Sequence, residues 1–107
     1  MSDIDWKKEE NNNLVNAILS LKNKDEVERF LRDLLTKQEI EEFSRRFLTA
    51  KMLSDNFPYS KIIEKTGLSS TTIARISKWL NGSLGGYKLV INKLHRHNPS
   101  KLEKGLS

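Results

Sequence analysis

YSKIIEKTGLSSTTIARISKWL, Tyr59 to Leu80, is the stretch that decides how this 107-residue chain folds. Its apolar residues recur at helical spacing, not at the alternation of a strand. Gly67 divides it, and glycine tolerates the backbone that a tight turn between helices demands. The spacing predicts one helix over Tyr59 to Thr66 and a second over Ser70 to Leu80. Ile62, Thr66 and Leu68 on the first side would pack against Ile73 and Ile76 on the second. Two short helices meeting at about 90–120° through such a turn make a helix-turn-helix. A small residue usually follows Ile62 at such a crossing. Here it is Ile63, which predicts a looser one.

The residues left outside on the second helix are Ser69, Ser70, Thr71, Thr72, Arg75 and Lys78. They are small hydroxyls and long cations, with no acid among them. Hydroxyls and free N–H groups near a helix N-terminus donate to phosphates. Arg75 and Lys78 are long enough to reach guanine edges in a major groove. Lys61, on the first helix, joins them as a candidate DNA contact. The competing reading is a helical hairpin that merely packs.

Charge favours the DNA reading. The net charge is +5, but it is unevenly spread. Met1 to Glu42 carries 7 Lys/Arg against 11 Asp/Glu, and Phe43 to Ser107 carries 12 against 3. An acidic first part and a basic remainder suggest an electropositive face aimed at a polyanion. The chain contains no cysteine, which excludes disulfides and thiol chemistry and suits a reducing cytoplasm. No apolar run approaches the ~20 residues of a membrane span. The polar N-terminus does not read as a signal peptide.

Outward from the central motif the pattern stays helical. Leu14, Ala17, Ile18 and Leu21 form one stripe and predict a helix over Trp6 to Lys22. Asp25 with Glu28 predicts a capping box for a second helix, whose apolar face is Val27, Phe30, Leu31, Leu34 and Leu35. Thr36 with Glu39 predicts another box and a third helix to Ser54. The apolar residues of that helix, among them Ile40, Phe43, Phe47, Ala50 and Leu53, span a wide arc, which implies cover from more than one side. Pro58 breaks the chain before the central motif. After Gly82, Gly85 and Gly86, the run Tyr87 to His95 predicts a last helix. The fold class is therefore all-α, with about six helices. Residues 1–98 form one domain with the helix-turn-helix at 59–80, and 99–107 form a flexible basic tail.

The run from Leu34 to Tyr87 resembles the Trp repressor superfamily, and within it the Trp-repressor-like YerC/YecD family. The resemblance rests on Leu34-Leu35-Thr36, the paired Arg45-Arg46, the Thr66-Gly67 turn, the STTIAR segment ending in Arg75, and Gly85-Gly86-Tyr87. It covers half the chain, and the leading helices agree in number and order. It implies an intertwined homodimer whose N-terminal and last helices interlock with the partner's. Two recognition helices would then enter successive major grooves about 34–36 Å apart, at a pseudo-palindromic operator.

The resemblance also bears on an effector. Tryptophan-sensing relatives clamp their ligand between two arginines, and alignment puts these at Arg46 and Arg75, with Thr36 at the pocket edge. Guanidinium groups stack on rings and hold carboxylates in pairs of hydrogen bonds. Where those relatives have small residues after the second arginine, this chain has Ile76 and Trp79. Trp79 would fill the space of an indole ring, so free tryptophan is not expected to be the corepressor. DNA binding without a corepressor, or with a different small molecule, stays open. Arg46 is equally well read as a surface or phosphate-contacting arginine.

The expected function is a sequence-specific DNA-binding transcriptional regulator, most simply a repressor, located in the cytoplasm. The alternative is a non-catalytic interaction module that docks on the transcription machinery. No nucleophile–base pair suggests an enzyme, and no cofactor is implied. His95 and His97 are too few for a metal site.

Overall fold

In the computed structural model, which describes residues 3–96, six α-helices follow one another. They are α1 (Glu9–Leu19), α2 (Lys24–Leu34), α3 (Lys37–Ser54), α4 (Tyr59–Thr66), α5 (Ser70–Leu80) and α6 (Gly86–Arg96). The all-α expectation and the helix count hold. The chain divides into two compact units, one ending at Ile40 and one starting at Glu41. The predicted tail, 99–107, lies outside the described residues.

The first unit is built by capping more than by burial. Asp5 organises a turn ahead of α1. Its carboxylate accepts from the Lys7 N–H at 3.0 Å, and its carbonyl accepts from the Asn11 amide at 2.9 Å. That turn delays α1 to Glu9, three residues after the predicted start. The box ahead of α2 also sits elsewhere than expected. Asn23, not Asp25, is the N-cap: its side chain accepts from the Glu26 N–H at 2.9 Å, and Glu26 returns a bond to the Lys22 N–H at 2.9 Å. Asparagine caps as well as aspartate, and Asn23 and Glu26 have the same three-residue spacing. Asp25 instead lies in the first turn and pairs with Arg29 at 3.1 Å. No residue of α1 or α2 is buried, although both carry apolar stripes. Ile18 is 52% exposed and Leu34 is 48% exposed.

Thr36 and Glu39 form the predicted reciprocal box at the start of α3. The Glu39 N–H donates to the Thr36 hydroxyl oxygen at 3.1 Å, and the Thr36 N–H donates to the Glu39 carboxylate at 2.9 Å. The far end of α3 is closed by Asn56 at φ 64, with the Phe57 N–H reaching back to the Met52 carbonyl at 3.0 Å. Asparagine is one of the few residues that adopt this left-handed conformation readily. Pro58 then caps α4 in extended backbone.

The second unit holds the core. Ala50 of α3, Ile76 and Leu80 of α5, and Ile91 of α6 are buried together. Phe47, Leu53, Leu68 and Tyr87 pack against that cluster. The Phe47 and Tyr87 rings stack with centroids 6.5 Å apart, so Tyr87 locks the chain after the glycine loop. Every apolar anchor of this core lies on an element that flanks or forms the helix-turn-helix.

A candidate nucleic-acid interface

The turn of the helix-turn-helix is held by the residues the spacing pointed to. Ile62, Ile73 and Ile76 are fully buried, and Thr66 nearly so. The Thr66 hydroxyl donates to the Ile62 carbonyl at 2.7 Å and accepts from the Leu68 N–H at 3.2 Å. A buried polar group is thereby satisfied inside an apolar joint. Gly67 ends α4 at φ 73, with its N–H on the Ile63 carbonyl at 2.8 Å. Leu68 is half-buried. Ile63, which predicted a loose crossing, is 40% exposed. Its bulk therefore lies outside the packed joint and does not hold the two helices apart.

Ser69 caps α5. Its hydroxyl oxygen accepts from the Thr72 N–H at 3.2 Å, and its hydroxyl donates to the Thr72 hydroxyl oxygen at 3.0 Å. These two hydroxyls hold each other, and Thr72 is half-buried. Ser70 and Thr71 are exposed. The buried stripe Ile73, Ile76 and Leu80 fixes the opposite face of α5. At 100° per residue, the side chains farthest from that stripe are Thr71, Ala74, Arg75 and Lys78. All four are exposed. The pattern reading singled out three of them and passed over Ala74, because an alanine carries no chemistry visible in a list of donors. The helical period was the signal that finds it.

Electrostatically this face is one-signed. From Lys65 to Arg96 the chain contains Lys65, Arg75, Lys78, Lys88, Lys93 and Arg96 and no Asp or Glu. Arg75 and Lys78 take part in no ion pair among the described residues, whereas Lys61 on α4 lies 3.9 Å from Glu64. An unpaired, exposed cation has no intramolecular bond to give up when it meets a phosphate or a base edge.

The four residues of the candidate effector site have different surroundings. The Thr36 hydroxyl is engaged in the α3 capping box. Arg46 lies 3.2 Å from the Glu42 carboxylate, one turn earlier, and its guanidinium sits 5.4 Å from the centre of the Phe43 ring. Arg75 is exposed. Trp79 is 42% exposed, and Ile76, one turn before it on α5, is part of the core. Of the two histidines considered for a metal, His95 is half-buried on α6 and His97 lies outside the described residues. Among the described residues no three His, Asp or Glu side chains group as metal ligands, and no helix is long and apolar enough to cross a membrane.

Residues 9–95 match the family described as Trp repressor protein. The chain belongs to the Trp repressor family. YerC of Bacillus subtilis (strain 168), an uncharacterized protein, is 37% identical to this family member over 81 residues, covering 76% of this chain and 78% of YerC. Two solved structures share the fold. A TrpR-like protein from Eubacterium eligens ATCC 27750 superposes with a TM-score of 0.78 at 43% identity, covering 83% of this chain and 92% of that one. A candidate Trp repressor from Staphylococcus aureus superposes with a TM-score of 0.78 at 29% identity, covering 87% and 96%. The six helices of this Trp repressor family protein thus form a Trp-repressor-like fold, with the helix-turn-helix in the matched region. Proteins of this family are regulators and not enzymes.

Proposed function

We propose that this protein is a sequence-specific DNA-binding transcriptional regulator, a repressor that occludes a promoter. The observation that carries the reading is the outward face of α5, where Arg75 and Lys78 stand exposed, with no ion pair among the described residues, on a helix without acids. Family membership supports it. Lys61, Ser69, Ser70, Thr71, Thr72, Arg75 and Lys78 make up the DNA-binding set. The exposed Ser70 and Thr71 hydroxyls, Lys61 and Lys78 serve phosphates, and Arg75 reaches the groove. Ser69 and Thr72 contribute chiefly by holding the helix start in place.

The protein acts as a homodimer on a pseudo-palindrome. The apolar residues that α1, α2 and the first half of α3 leave exposed, such as Leu14, Ile18, Leu34 and Phe43, support this. A second copy of the chain would cover them. Free tryptophan is not the corepressor. Arg46 is already engaged by Glu42 and Phe43, and the large side chains Ile76 and Trp79 stand where relatives have small ones. The site of action is the cytoplasm, on the nucleoid.

Mapping bound DNA across the genome, followed by mobility shifts on the recovered fragments at several salt concentrations, tests the reading. The expected result is a shared pseudo-palindrome and an affinity that falls steeply with salt, because phosphate contacts release counterions. Recovery of no common site, with salt-insensitive capture of a protein, would favour docking on the transcription machinery instead. Calorimetry with L-tryptophan should show no saturable binding at micromolar levels.

A further inference from the structure

The stripe Thr71, Ala74, Arg75 and Lys78 holds three side chains with hydrogen-bonding groups and one without. Ala74 is exposed and lies between Thr71 and Lys78, one turn from the first and one turn from the second. The buried stripe Ile73, Ile76 and Leu80 leaves no freedom in this orientation. A rotation of α5 that turned Ala74 inward would lift those three residues out of the core. The side chain at 74 is also the shortest of the four, so here a bound surface can come nearest to the helix axis. Among the four bases only thymine presents an apolar group in the major groove, its C5 methyl, and alanine and threonine methyls are suited to it.

We propose that Ala74 is a specificity-determining residue that selects thymine through its C5 methyl, with the Thr71 methyl bordering the same spot. The inference rests on the DNA-binding reading above and adds the identity of one base in each half-site. A methyl at 74 admits the thymine methyl to contact and offers nothing to the amino group of cytosine or to the acceptors of guanine. Arg75, next in sequence on the same face, has the fork that suits guanine. The half-site should therefore combine a guanine read by Arg75 with a thymine packed on Ala74.

The test begins by selecting bound sequences from a random duplex library with the full chain. Affinity is then measured for the selected site with each thymine replaced in turn by deoxyuridine, which lacks only the methyl. At one symmetric position the replacement should weaken binding by roughly fourfold per half-site, the effect of one apolar methyl-sized contact. The Ala74→Gly variant should bind the thymine and deoxyuridine duplexes equally at that position while keeping its preference for guanine. Ala74→Ser, which leaves the helix undisturbed, should reduce the discrimination. Enrichment of a defined site that tolerates deoxyuridine at every position would overturn the proposal and leave the DNA-binding reading intact. So would an unchanged thymine preference in Ala74→Gly. Failure to enrich any sequence would overturn both.

Discussion

The Ser69 hydroxyl both accepts from the Thr72 N–H, at 3.2 Å, and donates to the Thr72 hydroxyl, at 3.0 Å. This pair sets where α5 begins, and with it the angle at which the outer face is presented. Replacing Ser69 with alanine removes the cap and should cost about 1 kcal/mol of folding stability, read from the midpoint of urea unfolding. DNA affinity should fall as well, because the first turn frays. Ser69→Asp should restore stability but not affinity, since a carboxylate caps the helix and repels phosphate.

Gly67 closes α4 at φ 73, and the space around its missing Cβ is open. The penalty for a side chain is therefore backbone strain and not collision. Gly67→Ala should destabilise the fold by about 1–2 kcal/mol, with an unchanged urea m-value. Gly67→Asn should cost less, because asparagine tolerates this conformation, as Asn56 already does after α3.

Arg75 and Lys78 share a face but not a role. Arg75→Ala should cost roughly 1–3 kcal/mol of binding to the selected operator and relax the choice of base at one position. Lys78→Ala should instead weaken binding almost evenly across sequences, as loss of a phosphate contact does, lowering the slope of affinity against salt by about one. Both side chains are exposed and form no ion pair among the described residues, so the thermal stability of either variant should match the parent. Titrations of operator and scrambled duplex at three salt concentrations separate the two.

Sedimentation equilibrium checks the proposed dimer. The full chain should run as a dimer at micromolar concentration. Ile18→Asp and Leu34→Asp place charges on residues that are half-exposed within one chain and should convert it to monomer, with loss of operator binding. If both variants remain dimeric, α1 and α2 do not form the interface.

Much of this was legible before any coordinates, and the reason is range. A capping box, a glycine turn and a 3.6-residue stripe are encoded within a few residues of where they act. Thus Thr36 with Glu39, Gly67, and the limits of α4 and α5 all follow from neighbours in the chain. The family resemblance was legible for the same reason, since its signature is carried by contiguous segments from Leu34 to Tyr87. Competition between two local signals was not. Asn23 and Asp25 both offered a cap with a glutamate three residues on, and the full geometry of the turn chose Asn23.

What the sequence by itself determined is the all-helical order, the helix-turn-helix and the polarity of charge along the chain. Local hydrogen bonding and periodicity suffice for all three. Tertiary structure alone decided which of the predicted apolar stripes are buried within the chain. It left the bulk of Ile63 outside the joint, tied Arg46 to Glu42 and Phe43, and buried nothing on α1 and α2. Burial depends on what packs opposite a side chain, and that partner lies far along the chain, beyond the reach of any local pattern.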